Sequence, residues 1–151
     1  MKLHIYHHGM DELNGYTNIC QGQTQARDGE LDAAVDDTEA TEIVVSEALD
    51  YIPLAELTGF LDHTIRKLRH KGTLTIVGTD AYTVAKNFTQ YKLPIEEFNI
   101  LLHGGERDPN NVKTATLTMH GVVNFLRTEF GLTVTRQSLE DFTYVIEAQR
   151  P

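Results

Sequence analysis

The chain carries one cysteine, Cys20, among 151 residues. A lone thiol excludes an intramolecular disulfide framework and suits a reducing compartment. No stretch approaches the roughly 18 consecutive apolar residues that a membrane span requires. The opening MKLHIYHHG lacks the apolar core of a signal peptide. The expectation is therefore a soluble, cytoplasmic protein with no membrane partner. Basic residues are also scarce, 13 Lys and Arg against 22 Asp and Glu, for a net charge of -9 and a pI near 5.1. That balance argues against sequence-independent binding to nucleic acid, which depends on clustered Lys and Arg. The one basic cluster, Arg66, Lys67, Arg69, His70 and Lys71, reads as the solvated, dipole-matched end of a helix. Internal repeats, low-complexity segments and a dividing linker are absent as well.

What remains is ordinary globular material, 40% hydrophobic and 23% charged. It is enough for one domain over residues 1–151 with a core of its own. Leu3 to Tyr6 reads as a short buried strand, and GYTNIC as a second. From Asp28 to Asp50 every charged residue is acidic. Inside that stretch the run Ile43, Val44, Val45 predicts a strand covered on both faces. Leu54, Leu57, Phe60, Leu61, Ile65 and Leu68 then recur at helical spacing. Pro53 stands near the start of that helix, and Gly72 is placed to end it.

TLTIVG follows as a strand, and Asp80 caps a helix running through Ala85 to Tyr91. LPIEEFNILLHGG predicts a short helix that stops at Gly104 and Gly105, with ERDPNNVK as a polar loop. Val122 to Phe130 marks a helix that Gly131 terminates. LTVTRQ and FTYVIEAQ alternate as the strands of a hairpin about Glu140 and Asp141. Strands alternating with helices, then a hairpin, predict a three-layer α/β fold with a mainly parallel sheet. Such sheets take ligands beyond the carboxyl ends of their strands. The places to search are therefore Tyr6–Gly9, Cys20–Gln23, Asp36–Asp37, Ser46–Tyr51 and Gly78–Asp80.

Three blocks in this order resemble a known family. HHGMDELNGYTNIC keeps the spacing of a strand, a glycine loop and a second strand. SEALDYIPLAELTGFLDHTIRKLRHKGTLTIVGTD is similar to the family's middle block. LLHGGERDPNN with LRTEFGLTVTRQSLEDFTYVIEAQRP is similar to its third. Together they resemble the small class I S-adenosylmethionine-dependent methyltransferases of the type 11 kind, over nearly the whole chain. The resemblance implies a Rossmann-like fold, S-adenosylmethionine as cofactor and methyl transfer to a small acceptor such as a sugar or metabolite.

It also implies cofactor-binding roles for Tyr6, His7, His8, Gly9, Cys20, Asp36, Asp37 and Ser46. Asp36 and Asp37 would sit near the adenine. Glu47, Asp50 and Tyr51 fall where the family keeps catalytic or acceptor-facing groups, although Glu47 and Asp50 also suit capping and solvation of the next helix. The departures from the family lie at the cofactor end. His7 and His8 replace the first glycine and the cysteine of the loop. Cys20 replaces an acid that accepts bonds from both ribose hydroxyls, a paired contact a thiol cannot make. Glu47 and Tyr51 stand in place of two histidines.

Two readings stay open on this pattern. One is an active small methyltransferase. The other is a non-catalytic relative used as a binding or assembly module, with a protein partner or a second copy. A metal held by His4, His7 and His8 with His103 or His120 is the weaker reading of the histidines. Adjacent strand residues point to opposite faces, and a steric plug in the former glycine space accounts for His7 and His8. Cys20 has no base in fixed relation to it and reads as buried structure.

Overall fold

Apolar residues at alternate strand positions decide which side of the sheet is packed. The computed structural model describes residues 1–7, 9–21, 27–105 and 112–151. Among these the elements are β1 (Lys2–His7), β2 (Thr17–Gln21), α1 (Arg27–Ala34), β3 (Ala40–Ser46), α2 (Leu54–Lys67), β4 (Leu68–Thr79), α3 (Ala81–Thr89), α4 (Ile95–His103), α5 (Met119–Phe130), β5 (Thr133–Glu140) and β6 (Thr143–Gln149). A single 3-10 turn, Leu49–Tyr51, joins β3 to α2.

The strand order is β2-β1-β3-β4-β6-β5. β1 pairs parallel with β2 and β3, and β3 with β4, while β6 runs antiparallel to both β4 and β5. This is the mainly parallel α/β sheet with an antiparallel hairpin that the sequence predicts. Chain order reverses at β1, with β2 on one side and β3 on the other. Such a switch point is where open α/β sheets place ligands, beyond the carboxyl ends of the strands.

One side of the sheet presents Leu3, Ile5, Ile43, Val45, Leu74, Ile76, Tyr144 and Ile146. Leu31 and Val35 from α1 and its end, Leu57, Phe60, Leu61 and Ile65 from α2, and Val122, Val123 and Leu126 from α5 complete that core. Each such aliphatic side chain contributes about 1.5–3 kcal/mol when fully buried. The other side is dressed differently. Thr73, Thr75, Val77 and Val145 stay half-buried there. Over β1, Tyr6 stacks on His4 and Tyr16 meets its edge. The run Ile43–Val45 is buried throughout, with Val44 at 9% exposure on this second side.

Several boundaries differ from expectation. α2 ends at Lys67, because Leu68 turns extended (φ -68°, ψ 133°) and begins β4 opposite Ala40. Gly72 is therefore not the helix stop. It lies where the register between β3 and β4 shifts, and a Cβ there would sit 2.9 Å from Arg69 O and 3.1 Å from Ala40 O. The basic cluster is split in consequence. Arg66 and Lys67 close the helix, while Arg69, His70 and Lys71 lie on β4. Lys67 is buried and reaches Asp32 at 2.6 Å and Asp37 at 2.8 Å.

α1 occupies part of the acidic stretch for which no helix was predicted. α3 starts at Ala81, with Asp80 accepting from Thr83 N at 3.2 Å and Thr83 Oγ1 at 2.6 Å. Its other oxygen accepts from Met119 N at 2.9 Å, tying α3 to the start of α5. Glu140 belongs to β5, and the hairpin turns at Asp141, whose φ is +54°.

Gly78, near the end of β4, is required by close approach. A Cβ there would lie 2.7 Å from the hydroxyl of fully buried Tyr144. Overpacking of that kind costs about 1–3 kcal/mol. Gly78→Ala is expected to lower the urea midpoint with an unchanged slope, since native contacts and not denatured-state compactness are altered.

Candidate functional site

The switch point forms a cleft of about 500 Å³ at the carboxyl ends of β1 and β3. His7, Gly9 and Met10 line it from the β1 end, and Glu47 and Tyr51 from the β3 end. Ile100, Leu101, Gly104, Gly105 and Lys113 close the far wall. Its size falls in the range of small-molecule sites.

His7 is 7% exposed and lies flat on Tyr51, with ring centroids 3.4 Å apart and planes 1° from parallel. Gly9 follows with φ +96°, a conformation open to glycine at little strain. Nothing lies within 4 Å of where its Cβ would be. His8 lies outside the described residues, as do Gly22, Gln23 and residues 106–111.

Glu47 shares a left-handed backbone with Thr38, Lys71, Tyr91 and Asp141, and of these it is the one that lines the cleft. It follows β3 directly, its N–H donates to Val77 O at 2.9 Å, and its φ is +52°. A non-glycine residue held in the left-handed region stores local strain, and such residues cluster at functional sites. Burial raises its carboxyl pKa above the ordinary value, the Lys113 charge opposes that, and the Asp50 charge adds to it. The same surroundings push the Tyr51 hydroxyl up to about 12, burial first and then the Glu47 and Asp50 charges.

Asp50 sits behind the cleft wall. Its carboxylate pairs with Lys113 Nζ at 3.1 Å, both side chains being almost fully buried. The other two hydrogens of that ammonium go to Thr79 Oγ1 at 3.2 Å and Leu101 O at 2.8 Å. The backbone oxygen of Asp50 accepts from Thr114 N and Ala115 N. Burial raises the Asp50 pKa, with Lys113 working against the shift. Its Oδ1 is buried with no partner among the described residues. Asp50 thus ties the 3-10 turn, α4 and the 112–115 segment together.

Tyr6 and Cys20 belong to a second cleft, of about 460 Å³, at the end of β2. Asn18, Glu30, Ala33 and Ala34 also line it. Tyr6 donates to Glu12 Oε1 at 3.1 Å, and partial burial with that bond pushes its hydroxyl up to about 12. Ser46 faces the second side of the sheet, where its Oγ lies 2.9 Å from His4 Nε2.

Asp36 and Asp37 are a correction. They were expected beside the adenine, but α1 carries the chain back to the amino edge of the sheet before they occur. Asp37 is paired there with Lys67. They lie at the opposite end of β3 from the cleft. Among the described residues no three His, Cys, Asp or Glu side chains converge as a metal site needs.

The pattern of the sequence did not indicate Met10, Glu30, Ile100, Leu101 or Lys113. Lys113 follows a polar loop with no spacing to mark it. In the structure Ile95 and Ile100 of α4 are both exposed, and Ile100 faces the cleft.

No family model matches the sequence, and no curated protein matches it. Solved structures do match. A SAM-dependent methyltransferase from Methanosarcina mazei is similar at 17% identity and a TM-score of 0.56, over 94% of this chain and 71% of that one. Magnesium protoporphyrin IX methyltransferase from Synechocystis, solved with bound SAH, is similar at 14% identity and 0.52, over 91% and 52%. A possible exported protein from Bordetella parapertussis is similar at 12% identity and 0.57, over 99% and 62%. The chain spans about half the length of the Synechocystis protein. At such identities the likeness is one of architecture, and function must be argued from the site. The chain has a Rossmann-like, class I methyltransferase-like fold.

Proposed function

We propose that this protein is an S-adenosylmethionine-dependent methyltransferase acting on a small acceptor in the cleft at the ends of β1 and β3. The observation that carries the reading is Glu47, a strained carboxylate with raised proton affinity at the switch point. A general base works best when its pKa lies nearer the operating pH than a free carboxylate's does.

The residues present fit the cofactor. The open backbone at Gly9 leaves room for its close approach. The paired rings of His7 and Tyr51, beside the Glu47 carboxylate, suit a cationic sulfonium. Cys20 cannot accept a pair of ribose hydroxyl bonds, but Glu30 of α1 lines the same cleft and supplies a carboxylate there. When bound, the cofactor supplies an electrophilic methyl group. Glu47 takes the proton the acceptor loses, and Met10, Ile100 and Leu101 offer the acceptor an apolar wall. The cleft volume suits a small acceptor.

A second reading draws on one observation. The flat His7–Tyr51 stack stands at the end of β1, where a plug in a non-catalytic binding module would sit. Thermal unfolding separates the two. With S-adenosylmethionine or its demethylated product at about 1 mM, some 100 times its dissociation constant, the ligand adds about 2.7 kcal/mol. That corresponds to a rise in Tm of about 5–10 °C for a chain of this size. An unchanged Tm with both ligands overturns the proposal and leaves the binding-module reading.

A further inference from the structure

We propose that Ser46 is an acyl-accepting nucleophile, activated by His4 and oriented by Asn18, which takes small activated esters on the second side of the sheet. The site is separate from the cleft of Glu47. His4, Asn18 and Ser46 come from three adjacent strands, β1, β2 and β3, and sit opposite the main core by strand alternation.

The hydrogen bonds fix the proton positions. Asn18 Nδ2 donates to Leu13 O and Tyr16 O, each at 3.1 Å, and Asn18 Oδ1 accepts from Leu13 N at 3.0 Å. The amide therefore cannot be reversed without losing all three bonds. Only Oδ1 faces His4 Nδ1, at 2.8 Å, so Nδ1 carries the hydrogen. In the neutral ring Nε2 is then the acceptor, and the partner 2.9 Å from it is Ser46 Oγ. The serine hydroxyl points its proton at a base whose tautomer a third side chain sets. Nucleophile, base and orienting group in that relation define an activated serine whatever the fold that carries them.

Burial supports the same assignment. His4 is 1% exposed, held between the ring of Tyr6 (5.1 Å, 16°) and the edge of Tyr16 (6.4 Å, 73°). Its rotamer is fixed and bulk water is kept from it, as preorganised catalysis needs. Ser46 is half-buried at the last position of β3, and Glu47 turns away after it with φ +52°. Its cross-strand neighbours are Tyr6 and Val77, both half-buried, which suits a short apolar acyl group.

The reaction balances with ester and water alone. Ser46 Oγ bonds to the carbonyl carbon, its proton passes to His4 Nε2, and the carbonyl pair moves to oxygen. Collapse breaks the ester C–O bond, and His4 returns the proton to the departing alcohol. Water repeats the sequence at the acyl-serine, giving a carboxylic acid and free Ser46.

An alkyl fluorophosphonate tests the assignment, since the same attack displaces fluoride and leaves a stable phosphonyl-serine. Intact mass and peptide mapping should show one label, at Ser46, on the folded protein. It should be absent from Ser46→Ala and from protein unfolded in urea. His4→Gln should slow labelling by about 10²-fold or more. Asn18→Ala should slow it too, and Asn18→Asp, which keeps an acceptor oxygen toward Nδ1, should restore most of the rate. No label, a label on another serine, or labelling of Ser46 as fast in urea or in His4→Gln overturns the proposal. Should His4→Gln not fold, the comparison of native and unfolded wild type decides alone.

Discussion

Glu47→Gln is expected to lower kcat/KM for methyl transfer by about 10²–10⁴-fold, the usual contribution of a general base, while making the protein more stable at pH 8. Both effects come from the same burial. The carboxyl binds its proton more tightly in the folded chain than in the unfolded one, because burial penalises its charge. The native state therefore holds more protons across the window between the unfolded value, about 4.3, and the raised folded value. Over that window stability falls as pH rises. Glutamine keeps the shape and has no proton to lose, so that loss disappears. The gap in stability between variant and wild type should be small near pH 4, grow with pH and then level off. Urea unfolding at several pH values measures the gap, and initial rates of methyl transfer well below saturating acceptor measure the kinetic half. A variant that loses activity with no gain in stability would place the effect of Glu47 elsewhere than in its buried charge.

Lys113→Met should destabilise the fold by about 3–5 kcal/mol near neutral pH, the usual consequence of leaving one member of a buried ion pair alone. Asp50 would be left without its counter-charge and with almost no access to water. The Lys113 ammonium also holds Thr79 at the end of β4 and Leu101 O in α4, so those anchors go with it. Adding Asp50→Leu should recover much of the loss, because an apolar pair of similar volume needs no counter-charge. Equilibrium urea denaturation of both variants reads the difference directly. Equal losses in the single and the double variant would mean that the anchors to Thr79 and Leu101, and not the stranded charge, dominate.

Much of this architecture was legible, and the gaps have physical causes. The stripe from Leu57 to Ile65 did bury as a helix face, while Leu54 at its start stays exposed, and Asp80 did cap a helix. Leu68 misled because an apolar residue continues a helical stripe as well as it begins a strand. Its place opposite Ala40, a contact distant in sequence, chose the strand. α1 went unnoticed because its described burial rests on few residues, Leu31 and the flanking Val35, within an acidic run. Missing it misplaced Asp36 and Asp37, since a helix that returns to the amino edge reverses the end of the sheet at which they emerge.

His7, Gly9, Glu47 and Tyr51 do line one cleft, because strand ends beside a switch point converge there. The helix α4 was expected, but its approach to the cleft, like that of Lys113, is set by tertiary packing that no local pattern encodes. The pairing of His4 with Ser46 needs the register of two strands, which alternation alone does not supply.

The antiparallel docking of β6 beside β4 also governs how fast the chain reaches its native state. Thr73 must find Gln149, and Gly78 must find Tyr144, before the sheet closes. Contacts so far apart demand a large loop-closure entropy before they return any energy, and folds dominated by them settle in milliseconds to seconds. Until β6 arrives, the edge of β4 exposes unpaired N–H and C=O groups that any extended strand can meet. Yield on refolding should therefore depend on protein concentration more steeply than equilibrium stability does, because strangers compete for that edge during the search.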